Sequence, residues 1–145
     1  MTTRSNLMER KTGGYVPLGE VRPIANLTQH PASAEQIRGG VFSLRSEDRE
    51  ELVGLLTFEE IPSSEEVRER AAKIVDLVGQ KLLGQGIMIG GAMWLMGPLE
   101  QEIRKRGGVP VYAFSRRESV EETLPDGSIK KTQAFRHLGF VEGGI

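Results

Sequence analysis

The sequence predicts an α/β fold, a mostly parallel sheet flanked by helices with an antiparallel β-hairpin at its C-terminal edge, and three features carry that reading. Residues 87–112 run through an apolar stretch, Gly90-Gly91, a helical pattern, Gly107-Gly108 and a β-rich stretch, which is the order of a βαβ unit. The stretches 87–89 and 109–114 are apolar at successive positions, as strands are when helices cover both faces of a parallel sheet. Near the C-terminus, Pro125-Asp126-Gly127 separates two β-rich stretches, and Asp-Gly supplies the positive φ angles of a tight turn.

Taken in chain order, residues 1–20 mix Thr, Ser, Arg, Lys and two adjacent glycines without periodicity. They are expected to be an N-terminal extension to one domain over 21–145. The first strand is expected within 21–27, best over 24–27 because Pro23 interrupts it. A short helix is expected from Ala34, with Ser33 as N-cap and Gln36 at capping-box spacing. Residues 41–44 are a weaker strand candidate. Ser46 is expected to cap a helix over 47–56 whose first turn is acidic, as the helix dipole favours. A further helix is expected from Ser63-Ser64 to about Leu83, with Val67, Ala71, Ile74, Leu77 and Val78 at helical spacing and charges on a solvated face. In the next helix Met93, Trp94, Met96, Leu99 and Ile103 can form an apolar face, and Gly97-Pro98 either bends it or starts its regular part. The 109–114 strand is expected to finish in Ser115-Arg116-Arg117-Glu118-Ser119. The hairpin should then pair 120–123 with 128–135, and a last strand near 134–138 should close the sheet edge.

Composition narrows the functions. A chain of 145 residues suits one domain with a real core. With 19 basic and 20 acidic residues its net charge is -1, so a broad surface for long nucleic acid is not supported. There is no cysteine, which removes disulfides and thiolate chemistry, and two histidines, His30 and His137, make a histidine-rich metal site unexpected. No apolar run approaches the roughly 20 residues of a membrane span, and a soluble cytoplasmic protein is expected.

The candidate site comes from strand ends. Gly90-Gly91 sits where a strand's carboxyl end meets a helix N-terminus, where unpaired N–H groups can hold an anion; a tight turn alone is the alternative. The first strand runs into Asn26, Thr28, Gln29 and His30, and a second polar loop then lies along the same edge. Turn and cap duty competes for each of these residues. Arg116 and Arg117 suit phosphate, because guanidinium binds its oxygens in a planar fork, and pairing with Glu118, Glu121 or Glu122 is the alternative. Trp94 is read as core or subunit contact ahead of a base-stacking platform.

The segment from Val109 to Phe140, with its strand, Ser-Arg-Arg turn, Pro-Asp-Gly hairpin and closing Phe-Arg-His run, resembles the C-terminal third of small stand-alone CRISPR-associated Csx-type proteins. The Gly-Gly-Ala segment after Ile89 and the Asn-Leu-Thr-Gln-His loop fit the same family. That resemblance implies a Rossmann-like domain of the CARF class and a homodimer holding a cyclic oligoadenylate across its two-fold axis. In some of these relatives the ring is cleaved, a ribose 2′-OH attacking the adjoining phosphate without metal or cofactor and leaving a 2′,3′-cyclic phosphate. It further implies Gly91, Ala92 and Arg116 as anion donors and Asn26, Thr28 and Ser115 as ribose or base contacts. His30 is a candidate acid or base or else a loop-packing residue, while Gln29, Gly90 and Arg117 border the ligand and His137 is structural. Three functions compete: a ring nuclease, a non-catalytic binder or sponge, and an α/β accessory domain without nucleotide.

Overall fold

The computed structural model describes residues 23–144, so the expected extension over 1–20 lies outside the described residues. The elements are β1 (Ile24–Asn26), α1 (Ala34–Arg38), β2 (Val41–Phe42), α2 (Ser46–Leu56), α3 (Ser64–Asp76), β3 (Gly86–Met88), α4 (Met93–Lys105), β4 (Val109–Thr123) and β5 (Ile129–Glu142). They build an α/β structure around one curled sheet of order β2-β1-β3-β4-β5, parallel throughout except for β5. From β1 the chain moves outward to β2, then crosses back to β3 and on to β4. Winding therefore reverses between β1 and β3. With crossovers of one hand, the helices before and after the reversal fall on opposite faces.

Packing follows that division. Leu27, Ile87 and Ile89 pack with Leu52, Ile74, Leu95 and Leu99 on the α2–α4 side. On the other side Ile24, Val41, Met88, Val109 and Val111 form a smaller cluster, joined by Ala32 and Phe140. Every residue of β1 and β3 is buried, which is why their sequences show no alternation. The Ser33–Gln36 capping box forms as the spacing predicts, with Gln36 N 3.1 Å from Ser33 Oγ and Ser33 N 3.0 Å from Gln36 Oε1.

Four expectations need correction. Ser46 is the first residue of α2, and Arg45, in extended conformation, is the N-cap without a side-chain bond. Helix α3 stops at Asp76 well short of Leu83, where Leu77 N and Val78 N turn to Ile74 O and Val75 O and Gly79 takes φ 156°, a conformation no helix continues through. The Arg106 guanidinium braces this end, donating to Ala72 O at 3.3 Å, Gly79 O at 3.0 Å and Asp76 Oδ1 at 2.7 Å. Met93 and Trp94 are 86% and 55% exposed, and the buried stripe of α4 is Leu95, Leu99 and Ile103. Pro98 lies inside α4, so the helix starts at Met93 and not at the proline.

The fourth correction matters most. Strand β4 does not end at Phe114 but continues to Thr123, laddered with β5 from Val111↔Glu142 to Thr123↔Ile129, with a register shift between Phe114 and Ser115. Beyond that shift both faces of the two-stranded ribbon are largely exposed, so the strand persists without any apolar pattern. Opposed charges support it in part, as at Glu121 and Lys131, 3.7 Å apart. The Asp-Gly turn forms with only Gly127 at positive φ, and Asp126 Oδ1 accepts from Ser128 N at 2.9 Å. The ribbon's root is fixed to α4, because the Tyr112 hydroxyl donates to Glu100 Oε2 at 2.5 Å and Arg104 Nη2 to Glu142 Oε2 at 2.6 Å. Burial, then the Glu100 carboxylate, raises the Tyr112 phenol above its ordinary value.

Candidate functional site

Strands β1 and β3 end side by side, with Asn26 opposite Met88. From there one connection leads to α1 and the other to α4, on opposite faces. A crevice opens at such a divergence, and ligands of open α/β sheets bind there. The loop after β1 is built around Asn26, whose side chain is fully buried. Its Nδ2 donates to the His30 carbonyl at 2.9 Å, and its Oδ1 accepts from Thr28 N at 2.9 Å and from the Thr28 hydroxyl at 2.6 Å. These bonds fold residues 26–30 back on themselves and leave Gln29 and His30 exposed. Asn26 thus shapes the loop, and its polar atoms are spent inside it.

The loop after β3 meets this one. A Cβ placed on Gly90 would lie 3.6 Å from Thr28 Cγ2. Gly91 takes φ 132°, a conformation that side chains rarely adopt, and it lies open. Ala92 is the N-cap of α4 and supplies no side-chain acceptor, and the first turn has no acidic residue. Leu95 N already donates to Ala92 O at 3.0 Å, while the amides of Met93 and Trp94 have no helical partner and no competing carboxylate nearby in sequence, which leaves these two suited to an anion. A third contributor was not legible in the sequence. Arg49, on α2, donates from Nη2 to the Gln29 carbonyl at 3.1 Å, while its Nη1 is buried and has no hydrogen-bond partner among the described residues. Nothing in the sequence marks Arg49 among the charges of its helix, since only the tertiary fold brings α2 to this loop.

Asn26, Thr28, Gln29, His30, Gly90, Gly91 and Ala92 therefore share one sheet edge, while Ser115, Arg116 and Arg117 lie on the ribbon. Ser115 is four residues past Val111, the partner of Met88, or about 13 Å along the strand at roughly 3.3 Å per residue. Arg116 Nη2 is 3.0 Å from Glu118 Oε1, the pairing that the sequence left as an alternative. Arg117 stacks on Phe135, with 5.3 Å from guanidinium carbon to ring centroid. Neighbouring strand residues point to opposite faces, so the two arginines cannot form one fork. His137 packs edge-on against Phe140 at 4.8 Å, a structural contact. Among the described residues no group of three or more His, Asp or Glu is placed to hold a metal ion, and no helix is long and apolar enough to cross a membrane.

The sequence pattern of the uncharacterized protein MJ1673 family matches residues 22–141, nearly the whole described fold. No curated protein and no solved structure matches the chain.

Proposed function

The chain belongs to the uncharacterized protein MJ1673 family, and from that premise we propose that its β1/β3 crevice binds a cyclic oligoadenylate and that the protein is a metal-independent ring nuclease on a Rossmann-like, CARF-class scaffold. The observation that carries this reading is the meeting of the two strand-end loops, Thr28 against Gly90, at the point where winding reverses. The open amides at the start of α4 and the Arg49 guanidinium supply donors for a phosphate without consuming the net charge of the protein. In the reaction a ribose 2′-oxygen bonds to the adjoining phosphorus as the bond to the 5′-oxygen breaks. The 2′-OH proton passes to a base and the 5′-oxygen gains one. His30, exposed in the loop, is the candidate for proton transfer, and the amides of Gly91 and Ala92 face the developing charge.

A second reading, binding without cleavage, is favoured by one observation. Ser115 and Arg116, which the resemblance gives as a ribose or base contact and an anion donor, stand on the ribbon, and Arg116 is engaged with Glu118. Incubation with a panel of cyclic oligoadenylates in chelator, followed by mass spectrometry, separates the two. Linear products ending in a 2′,3′-cyclic phosphate are expected. Intact rings retained by the protein would leave a sponge, and absence of binding would overturn both readings.

A further inference from the structure

We infer that the β4–β5 ribbon is an arm that docks in an apolar groove on a second copy of this chain, the groove formed where the α2–α3 loop meets α4. The first half of the argument is the ribbon. Past the register shift, β4 and β5 hydrogen-bond only to one another among the described residues. A lone two-stranded hairpin is marginal in water and needs a third strand or a packed surface. This one nevertheless exposes large apolar side chains, Val120 at 45%, Ile129 at 61% and Phe135 at 68%. From Ser115 to Thr123 it spans about 27 Å at roughly 3.4 Å per residue, long enough to lie across a neighbouring domain.

The second half is the groove. Phe58, Ile61, Trp94 and Pro98 line a cavity of about 800 Å³ open to solvent. Ile61 is 98% exposed, and the half-exposed Trp94 meets Phe58 edge-on at 5.6 Å. Glu59 and Glu60 stand on its rim with Arg68 as the one basic residue of the lining. On the face of the arm that carries Phe135, Arg117 lies over the ring and forms no ion pair among the described residues, while Lys131 has Glu121 at 3.7 Å. A protruding phenylalanine flanked by Arg117 and an acid-rimmed apolar groove are thus present on one chain. The arm does not reach its own groove, since no hydrogen bond or ion pair joins residues 115–137 to α2, α3 or their loop. Two copies satisfy both arms and both grooves by a reciprocal, two-fold exchange that closes on itself. This inference stands whether or not the crevice takes a nucleotide.

The absence of cysteine permits a direct test. Phe135→Cys and Ile61→Cys each introduce a single thiol on an exposed position, so the fold should tolerate both. One variant carries a tag that alters its size, and the two are equilibrated together and treated with a short bis-maleimide. A cross-link between unlike variants is expected, with little in either variant alone. Dominant cross-linking of Phe135→Cys to itself would mean arm against arm, and of Ile61→Cys to itself groove against groove. Either overturns the inference, as does a wild-type protein that light scattering finds monomeric. Phe135→Asp should yield a monomer with unchanged far-ultraviolet circular dichroism. A dimer that survives this substitution with its affinity intact would also overturn it.

Discussion

Asn26 is a fully buried polar side chain whose three hydrogen bonds all close within five residues, so its contribution is to the shape of the loop and only through that shape to a ligand. Asn26→Ala should lower stability by about 2 kcal/mol, since it strands buried groups that had partners, and urea denaturation would show it. Its effect on affinity should follow loop disorder. His30 and Arg49 should separate instead by the quantity they alter. Arg49→Ala removes a charged donor whose Nη1 has no partner among the described residues, and should weaken cyclic oligoadenylate binding by roughly 1.5–3 kcal/mol in calorimetry. His30→Ala should slow cleavage by about 10²-fold at nearly constant affinity, because proton transfer acts only in the transition state. Equal losses of rate and affinity would make His30 a positioning residue. The sequence places His30 in the right loop because polar residues crowd behind an apolar strand. It leaves Arg49 unseen because a helix charge that turns inward has the same local pattern as one in solvent.

Elements show where local patterns end. Strand and helix positions in the parallel part were readable from apolar runs and caps, since burial on both faces leaves a continuous apolar signature. The end of α3 was not, because helical apolar spacing runs on through Leu77 and Val78 to Gly79, and Arg106, which braces that end, lies thirty residues after Asp76. Arg106 also holds the Asp76 carboxyl below its ordinary value of 3.8, and the Gln80 amide assists. A depressed carboxyl stabilises the fold above its unfolded pKa, and that contribution disappears as pH falls through the lowered value. Wild type should therefore exceed Asp76→Asn in stability near neutral pH, by no more than about 1 kcal/mol because the carboxylate is half exposed. The gap should close below the ordinary aspartate range. Urea midpoints of both proteins across the acid range would reveal a gap that stays constant if the pairing contributes nothing. The adjoining glycines of the β3–α4 loop make a second element-scale contrast. Gly90→Ala meets only an ordinary contact with Thr28 and should be close to neutral, whereas Gly91→Ala must hold φ near 132° and should cost about 1–2 kcal/mol.

At the scale of the whole molecule, the reversal of winding between β1 and β3 sets the crevice, and the ribbon leaves the same sheet past its last parallel pair. The polar run from Ser115 to Ser119 reads as a strand end because sequence periodicity reports burial, and a ribbon with water on both faces has none to report. Its Pro-Asp-Gly turn, which depends on local geometry alone, was legible. If the ribbon is completed by a second copy, stability must depend on protein concentration, since the assembled state is favoured by mass action. Each tenfold rise should add about 1.4 kcal/mol per mole of dimer, or a few degrees in unfolding temperature for a chain of this size. The ribbon amides should gain hydrogen-exchange protection over the same range, while β1 and β3, buried within one protomer, should change only as far as global unfolding does. Phe135→Asp should flatten both dependences and leave the dilute-limit unfolding temperature of the core in place, because the side chain it removes is mostly exposed in the single chain. An unfolding temperature independent of concentration in wild type would assign the ribbon to the monomer, and its exposed phenylalanine would then need another occupant.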